Sequence, residues 1–91
     1  MENIKLPDYA ITVNGDAMAP VLNDGDTALI EYRTDEVPDG TLVAVETGDG
    51  IVIGWAYKIN GEAWLVRKNG KPFIIQYADI LGEVVGSLWR K

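Results

Sequence analysis

Apolar and polar residues alternate with a period of two along much of this chain. In "IVIGWAYKI", residues 51–59, Ile51, Ile53, Trp55, Tyr57 and Ile59 fall on one side of an extended strand, and Val52, Gly54, Ala56 and Lys58 on the other. Successive side chains of a strand point to opposite faces, so the bulkier set is the expected core face. "DTALIEY" separates Ala28, Ile30 and Tyr32 from Thr27, Leu29 and Glu31, and "TLVAVET" groups Val43 with Val45. Turn signals stand between these segments: "NDGD" at 23–26, "PDG" at 38–40, "GDG" at 48–50, and Asn-Gly at 60–61 and 69–70. Short strands between spaced turns predict an all-β domain. Asn-Gly suits a type I′ hairpin turn, whose two central residues need positive φ. "KINGEAW" and "RKNGKPF" therefore read as two hairpins, and residues 51 to about 76 as a three-stranded meander. "DILGEVVGSLWR" alternates less regularly, with Gly82 and Gly86 marking bulges or bends in a curved strand. The only helical expectation is a single turn in "MAPVLNDG", with Pro20 near its start and Gly25 past its end.

Composition narrows what such a domain does. At 91 residues the chain is one domain, and its 47% apolar content is normal for a globular core. It has neither Cys nor His, which excludes disulfides, thiolate chemistry and imidazole bases or ligands. No apolar run approaches the ~20 residues of a membrane span, and "MENIKLPDYA" lacks the basic-then-apolar order of a signal peptide. The net charge of −6 opposes direct contact with a phosphate backbone. The basic pairs at 67–68 and 90–91 read as ordinary surface residues. Asp16, Asp24 and Asp26 lie close together, but no set of oxygen ligands with calcium-loop spacing follows either of the first two. They are expected to be turn acids bonding their own backbone, so no metal and no cofactor is expected. A phosphate-binding glycine loop is also missing, since "GEVVG" lacks the Lys and Ser/Thr that such a loop needs.

The stretch "ITVNGDAMAPVLNDGDTALIEY" resembles the LexA-like and phage-repressor serine–lysine peptidase domains. In that family a strand runs into a Gly-Asp-Ser-Met-x-Pro turn, followed by a one-turn helix and a Gly-Asp that starts the next strand. Gly15, Asp16, Met18, Pro20, Gly25 and Asp26 fit that order. "VPDGTLVAVETGDG", "WLVRKN" and "ILGEVVGSLWR" resemble later segments of the family in the same sequence, so the likeness runs from about residue 9 to 90. It implies a small, highly bent, barrel-like β-sheet with at most one short helical turn, filling residues 9–91 behind an N-terminal lead-in at 1–8.

Two positions depart from the family. The resemblance assigns the nucleophilic serine to position 17, which is Ala; a methyl has no lone pair with which to attack a carbonyl. It assigns the lysine base to position 54, which is Gly, on the expected non-core face. Lys58 shares that face, but at ~3.3 Å per residue it stands ~13 Å away, beyond the reach of a proton transfer. Ser87 is the only serine and has no suitable neighbour in the motif. Catalytic residues are thus expected to be absent, with Ala17 and Gly54 as vestigial positions.

The family's other role is dimerisation, which pairs two DNA-binding heads. Resemblance implies an oligomerisation domain of a cytoplasmic phage-type transcription repressor, excised from a longer chain. DNA would be held by a separate N-terminal domain, and neither membrane nor metal would be a partner. Val84, Val85, Leu88 and Trp89 in the last strand are the expected dimer contact. Two alternatives stand beside this reading. One is a self-cleaving peptidase domain inactivated by an engineered Ala17; the other is a peptide-binding β module that uses the emptied cleft.

Overall fold

The computed structural model describes residues 7–33 and 36–88. The strands are β1 (Tyr9–Thr12), β2 (Thr27–Tyr32), β3 (Thr41–Thr47), β4 (Gly50–Ile59), β5 (Glu62–Val66), β6 (Phe73–Ile75) and β7 (Ile80–Leu88), with a 3-10 turn at Tyr77–Asp79. They form one seven-stranded sheet in the order β1-β2-β7-β3-β4-β5-β6. Every adjacent pair is antiparallel. The fold is mainly β, as the alternation predicts, and the sheet is open, with β1 and β6 at its ends.

Turn chemistry sets the local register. Thr47 faces Gly50 across the β3–β4 turn, and its hydroxyl donates to the Gly50 carbonyl at 2.7 Å. Ile59 faces Glu62 around Asn60-Gly61, where φ is +53° and +81°, the two positive values a type I′ turn requires. The meander over β4, β5 and β6 forms as expected, but its second Asn-Gly is not such a turn. Val66 and Phe73 are joined by a wider loop, and of the pair only Gly70 has positive φ.

The irregular last strand has a physical cause. Leu29 faces Gly86 while Ile30 faces Val84; Ala44 faces Gly82 while Val45 faces Ile80. Val85 and Leu81 are thus the extra residues of two bulges, each immediately before a glycine. A bulge bends its strand and increases the local twist. At Gly82 the neighbours are the Glu31 carbonyl and Ile30, too close for any Cβ. Gly86 meets only the Leu29 side chain at an ordinary 3.5 Å.

The curved sheet carries apolar clusters on both faces. Val43 and Val45 join Val37, Ala56, Ala63, Leu65, Ile75 and Ile80 in the first. Ala44, between them in sequence, joins Val13, Met18, Leu22, Ala28, Ile30 and Ile53 in the second. This corrects the single core face expected for residues 51–59. Ile53 and Trp55 do pack into the second cluster, but Ile51, Tyr57 and Ile59 are 46%, 37% and 49% exposed. On the supposed outer side, Ala56 is buried and Val52 packs against the first cluster. The middle of β4 lies between two layers, so small residues are found where space is scarcest.

The helical turn expected around Met18 is also corrected. Residues 17–21 form turns, with Leu22 N–H donating to Met18 O at 3.0 Å and Ala19 N–H to Asp16 O at 3.1 Å. Asn69 donates to the carbonyls of Asp16, Ala17 and Ala19, which holds the segment as a chain reversal. Among the described residues the one 3-10 turn lies at Tyr77–Asp79 instead.

Candidate functional site

The loop between β1 and β2 closes on itself. Val13 N–H donates to Asp26 O at 2.8 Å, and Gly25 N–H donates to Val13 O at 2.9 Å. Asp24 Oδ1 accepts from Gly15 N–H at 2.7 Å, and Asp26 Oδ2 accepts from Asn23 N–H at 2.8 Å. Gly15 and Gly25, at φ +87° and +89°, reverse the chain where a Cβ would be strained. Met18 and Leu22 anchor the loop in the second cluster, while Asp16 and Pro20 are exposed. Asp24 and Asp26 thus act as turn acids. No cluster of three or more metal-ligating side chains occurs among the described residues.

A cavity of about 110 Å³ opens beside this loop, lined by residues 11–15, Ala17, Met18, residues 51–53 and Arg67. Its position follows from the pairing. β4 meets β5 only from Trp55 onward, so among the described residues no strand lies on that side of residues 51–54. The structure brings position 17 and the start of β4 to one cavity, whose lining does not include Gly54.

Gly54 itself is placed differently from the expectation. It is buried on the side of the first cluster. A Cβ there would lie 2.8 Å from both Leu65 Cγ and Val66 O, and 3.1 Å from Arg67 Cγ. The position is closed over by β5, and any larger side chain requires β5 to shift.

Arg67 is no ordinary surface residue. Its stem covers Gly54, its Cζ lies 5.2 Å from the centre of the Phe73 ring, and Nη2 donates to Lys71 O at 3.3 Å. Its Nε is buried with no acceptor. A guanidinium stays protonated in proteins, so Arg67 can donate hydrogen bonds and attract anions but cannot accept a proton. Asn69, read from sequence as a turn former, bridges the loop. Its backbone N–H donates to Ala17 O at 2.7 Å, and its Nδ2 donates to Asp16 O at 2.8 Å and Ala19 O at 3.1 Å. The signal for Arg67 was its place directly after a buried strand.

The remaining candidates lie elsewhere. Lys58 is exposed and pairs with Glu36 at 3.2 Å. In β7, Val84 packs against the second cluster, while Val85 and Leu88 are 51% and 58% exposed. Trp89 lies outside the described residues. β7 pairs with β2 up to Leu88 but with β3 only up to Glu83, which leaves one edge of residues 84–88 without a strand among the described residues.

A family description, Peptidase S24-like, matches residues 1–85. The chain belongs to this family. In this S24-like domain the Gly15-Asp16 turn, Ala17 and the start of β4 adjoin one cavity. No helix among its described residues is long and apolar enough to cross a membrane.

Proposed function

We propose that this S24-like domain joins copies of a phage-type transcription regulator and does not cut its own chain. The observation that carries the reading is the cavity beside residue 17. The side chain there is a methyl, and the only charged lining residue is an arginine, so position 17 has no nucleophile and no lining side chain is a base that could activate one such as the Thr12 hydroxyl. The closed position at Gly54 supports the same conclusion, because a lysine placed there would collide with Leu65 and Val66. Assembly is supported by the edge of residues 84–88, which has no strand beside it among the described residues, and by exposed Val85 and Leu88. An unpaired strand edge offers backbone donors and acceptors to a second copy, and a two-fold contact is the expected geometry. On this reading a separate N-terminal domain binds DNA, in the cytoplasm.

Sedimentation over a concentration series tests the assembly half. Wild type should pass from monomer to dimer in the micromolar range, and Leu88→Glu and Trp89→Glu should remain monomeric. A wild type that stays monomeric at high micromolar concentration would remove that half. For cleavage, Ala17→Ser in a chain extended upstream should stay intact at alkaline pH; two fragments would refute inactivity.

A further inference from the structure

We propose that the edge of β6, with the hollow beside Glu62, binds an extended segment of a partner protein that has an apolar and a basic side chain two residues apart. The inference goes beyond assembly and does not depend on it. β6 is the end strand of the sheet. It pairs with β5 through Ala63 and Ile75, Trp64 and Ile74, and Leu65 and Phe73, and among the described residues no strand lies on its other side. Such an edge presents backbone donors and acceptors to an incoming strand.

The side chains at this edge are apolar and acidic. Tyr57 faces Trp64 and Trp64 faces Ile74, so the three form one row on one side of the sheet. Tyr57 and Ile74 are exposed and Trp64 is half-buried. A contiguous apolar surface of this kind marks an interaction site where a single exposed residue does not. Ile59, exposed on the same side, faces Glu62. Pairing of β5 with β6 stops at Ala63 and Ile75, because Gln76 leaves the strand to begin the 3-10 turn. A hollow of about 260 Å³ opens there, lined by Glu62, Ile74, Gln76 and Tyr77 among others, with Glu62 its only charged residue. Glu62 has no ion-pair partner among the described residues, where the pairs join Arg33 to Glu83 and Lys58 to Glu36. Charge decides the occupant. A second copy would bring a net charge of −6 and another Glu62 to the same face, whereas a basic side chain finds acceptors on Glu62 and Gln76. Side chains two residues apart on an added strand share a side and stand ~7 Å apart, the step from Ile74 to Gln76. An apolar side chain beside Ile74 and Trp64 therefore places a basic one at the hollow.

The test titrates the 91-residue chain with short peptides while following its backbone amide NMR signals. The probe is acetyl-Lys-Thr-Leu-Thr-Lys-amide, which presents the apolar–basic pair in either strand direction. Its controls carry Glu in place of both Lys, or Ser in place of Leu. The lysine peptide should shift the signals of residues 62–64 and 73–77 saturably and leave those of residues 11–18 and 51–53 in place. The glutamate peptide should bind at least about tenfold more weakly, and the serine peptide should also bind more weakly than the lysine peptide. Glu62→Gln should reduce the preference for lysine at least about threefold. Asp49→Asn, in the exposed turn at the opposite end of β4, removes the same charge and should leave the preference unchanged. Equal binding of the lysine and glutamate peptides to wild type would overturn the proposal, as would no saturable shift at β6 or an equal loss of preference in Asp49→Asn. Signals of residues 73–77 that change on dilution without peptide would overturn it in favour of a second copy. The peptide comparison is made on the unaltered chain, so it stands even if a variant fails to fold.

Discussion

Two stretches of β4 have the same pattern and opposite surroundings. Ile53 and Trp55 lie under the loop that brings in Val13, Met18 and Leu22. Tyr57 and Ile59, on the same side of the same strand, are exposed. Their neighbours do not cover them: Tyr57 faces Trp64 and Trp64 faces Ile74 across the meander, and Ile74 is exposed as well. Period-two alternation determines which residues share a side. What covers that side is decided by chain far away in sequence.

The largest expected effect tests that difference. Leu65 is fully buried on the opposite face, where it packs over Gly54. Leu65→Ala should cost about 2–5 kcal/mol, from lost burial and the cavity left behind. Ile59→Ala, at an exposed site, should stay within about 0.5 kcal/mol. Urea unfolding midpoints at unchanged slope measure both. Equal costs would mean that the end of β4 is covered in solution.

Glycines sharpen the same contrast from the side of crowding. Gly82→Ala meets the Glu31 carbonyl, and Gly54→Ala meets Val66 O and the Leu65 side chain. Each should lose about 1–3 kcal/mol, the usual cost of overpacking. Gly48 has no heavy atom within 4 Å of a built Cβ and no positive φ. Gly48→Ala should therefore be close to neutral. If Gly54→Ala is also neutral, β5 yields readily, and the argument that position 54 is closed to lysine fails.

What the sequence makes legible is mostly local. The Asn60-Gly61 hairpin and the strands rest on neighbours close in the chain, and Gly82 and Gly86 mark the bulges of the last strand even though its partners, β2 and β3, are distant in sequence. Ala17 is legible because a run of motif residues surrounds it. Asn69 was not, because its partners Asp16 and Ala19 are 53 and 50 residues away, and an Asn before Gly is fully explained by a turn. Arg67 was read as surface because a basic pair usually is; only the early end of β5 shows that its stem lies over Gly54. The helical turn was misplaced for a related reason. Capping signals around Met18 mark a chain reversal, and the loop's own carboxylates and Asn69 satisfy its backbone in place of helical bonds.

Asn69 gives the next, smaller prediction. Asn69→Ala removes both side-chain bonds to the loop, and at an exposed position this should cost about 1 kcal/mol. Amide signals of residues 16–19 should broaden or shift while those of the β4–β5 hairpin stay in place. Asn69→Asp should behave alike, since an ionised carboxylate cannot donate to the carbonyls of Asp16 and Ala19. If Asp restores the loop, the two side-chain bonds are not what holds it.

The smallest effect concerns how β1 is tied to the second cluster. Tyr9 packs against that cluster, and its hydroxyl reaches past β2 to donate to Leu81 O on β7. Burial, then the charge of Asp8 and then Tyr32, raise its pKa above the ordinary 10.0. The folded chain therefore holds this proton more tightly than the unfolded chain does. The resulting stability is fully present below the unfolded pKa and is lost as pH rises through the raised folded value. Tyr9→Phe removes the hydroxyl, and with it about 0.5–1.5 kcal/mol at neutral pH. The gap between wild type and variant should narrow above about pH 10, because wild type alone then has a phenolate next to a carbonyl. A gap that stays constant across the alkaline range would mean that the Tyr9 hydroxyl does not bridge to β7, and that apolar contact alone seats the edge strand.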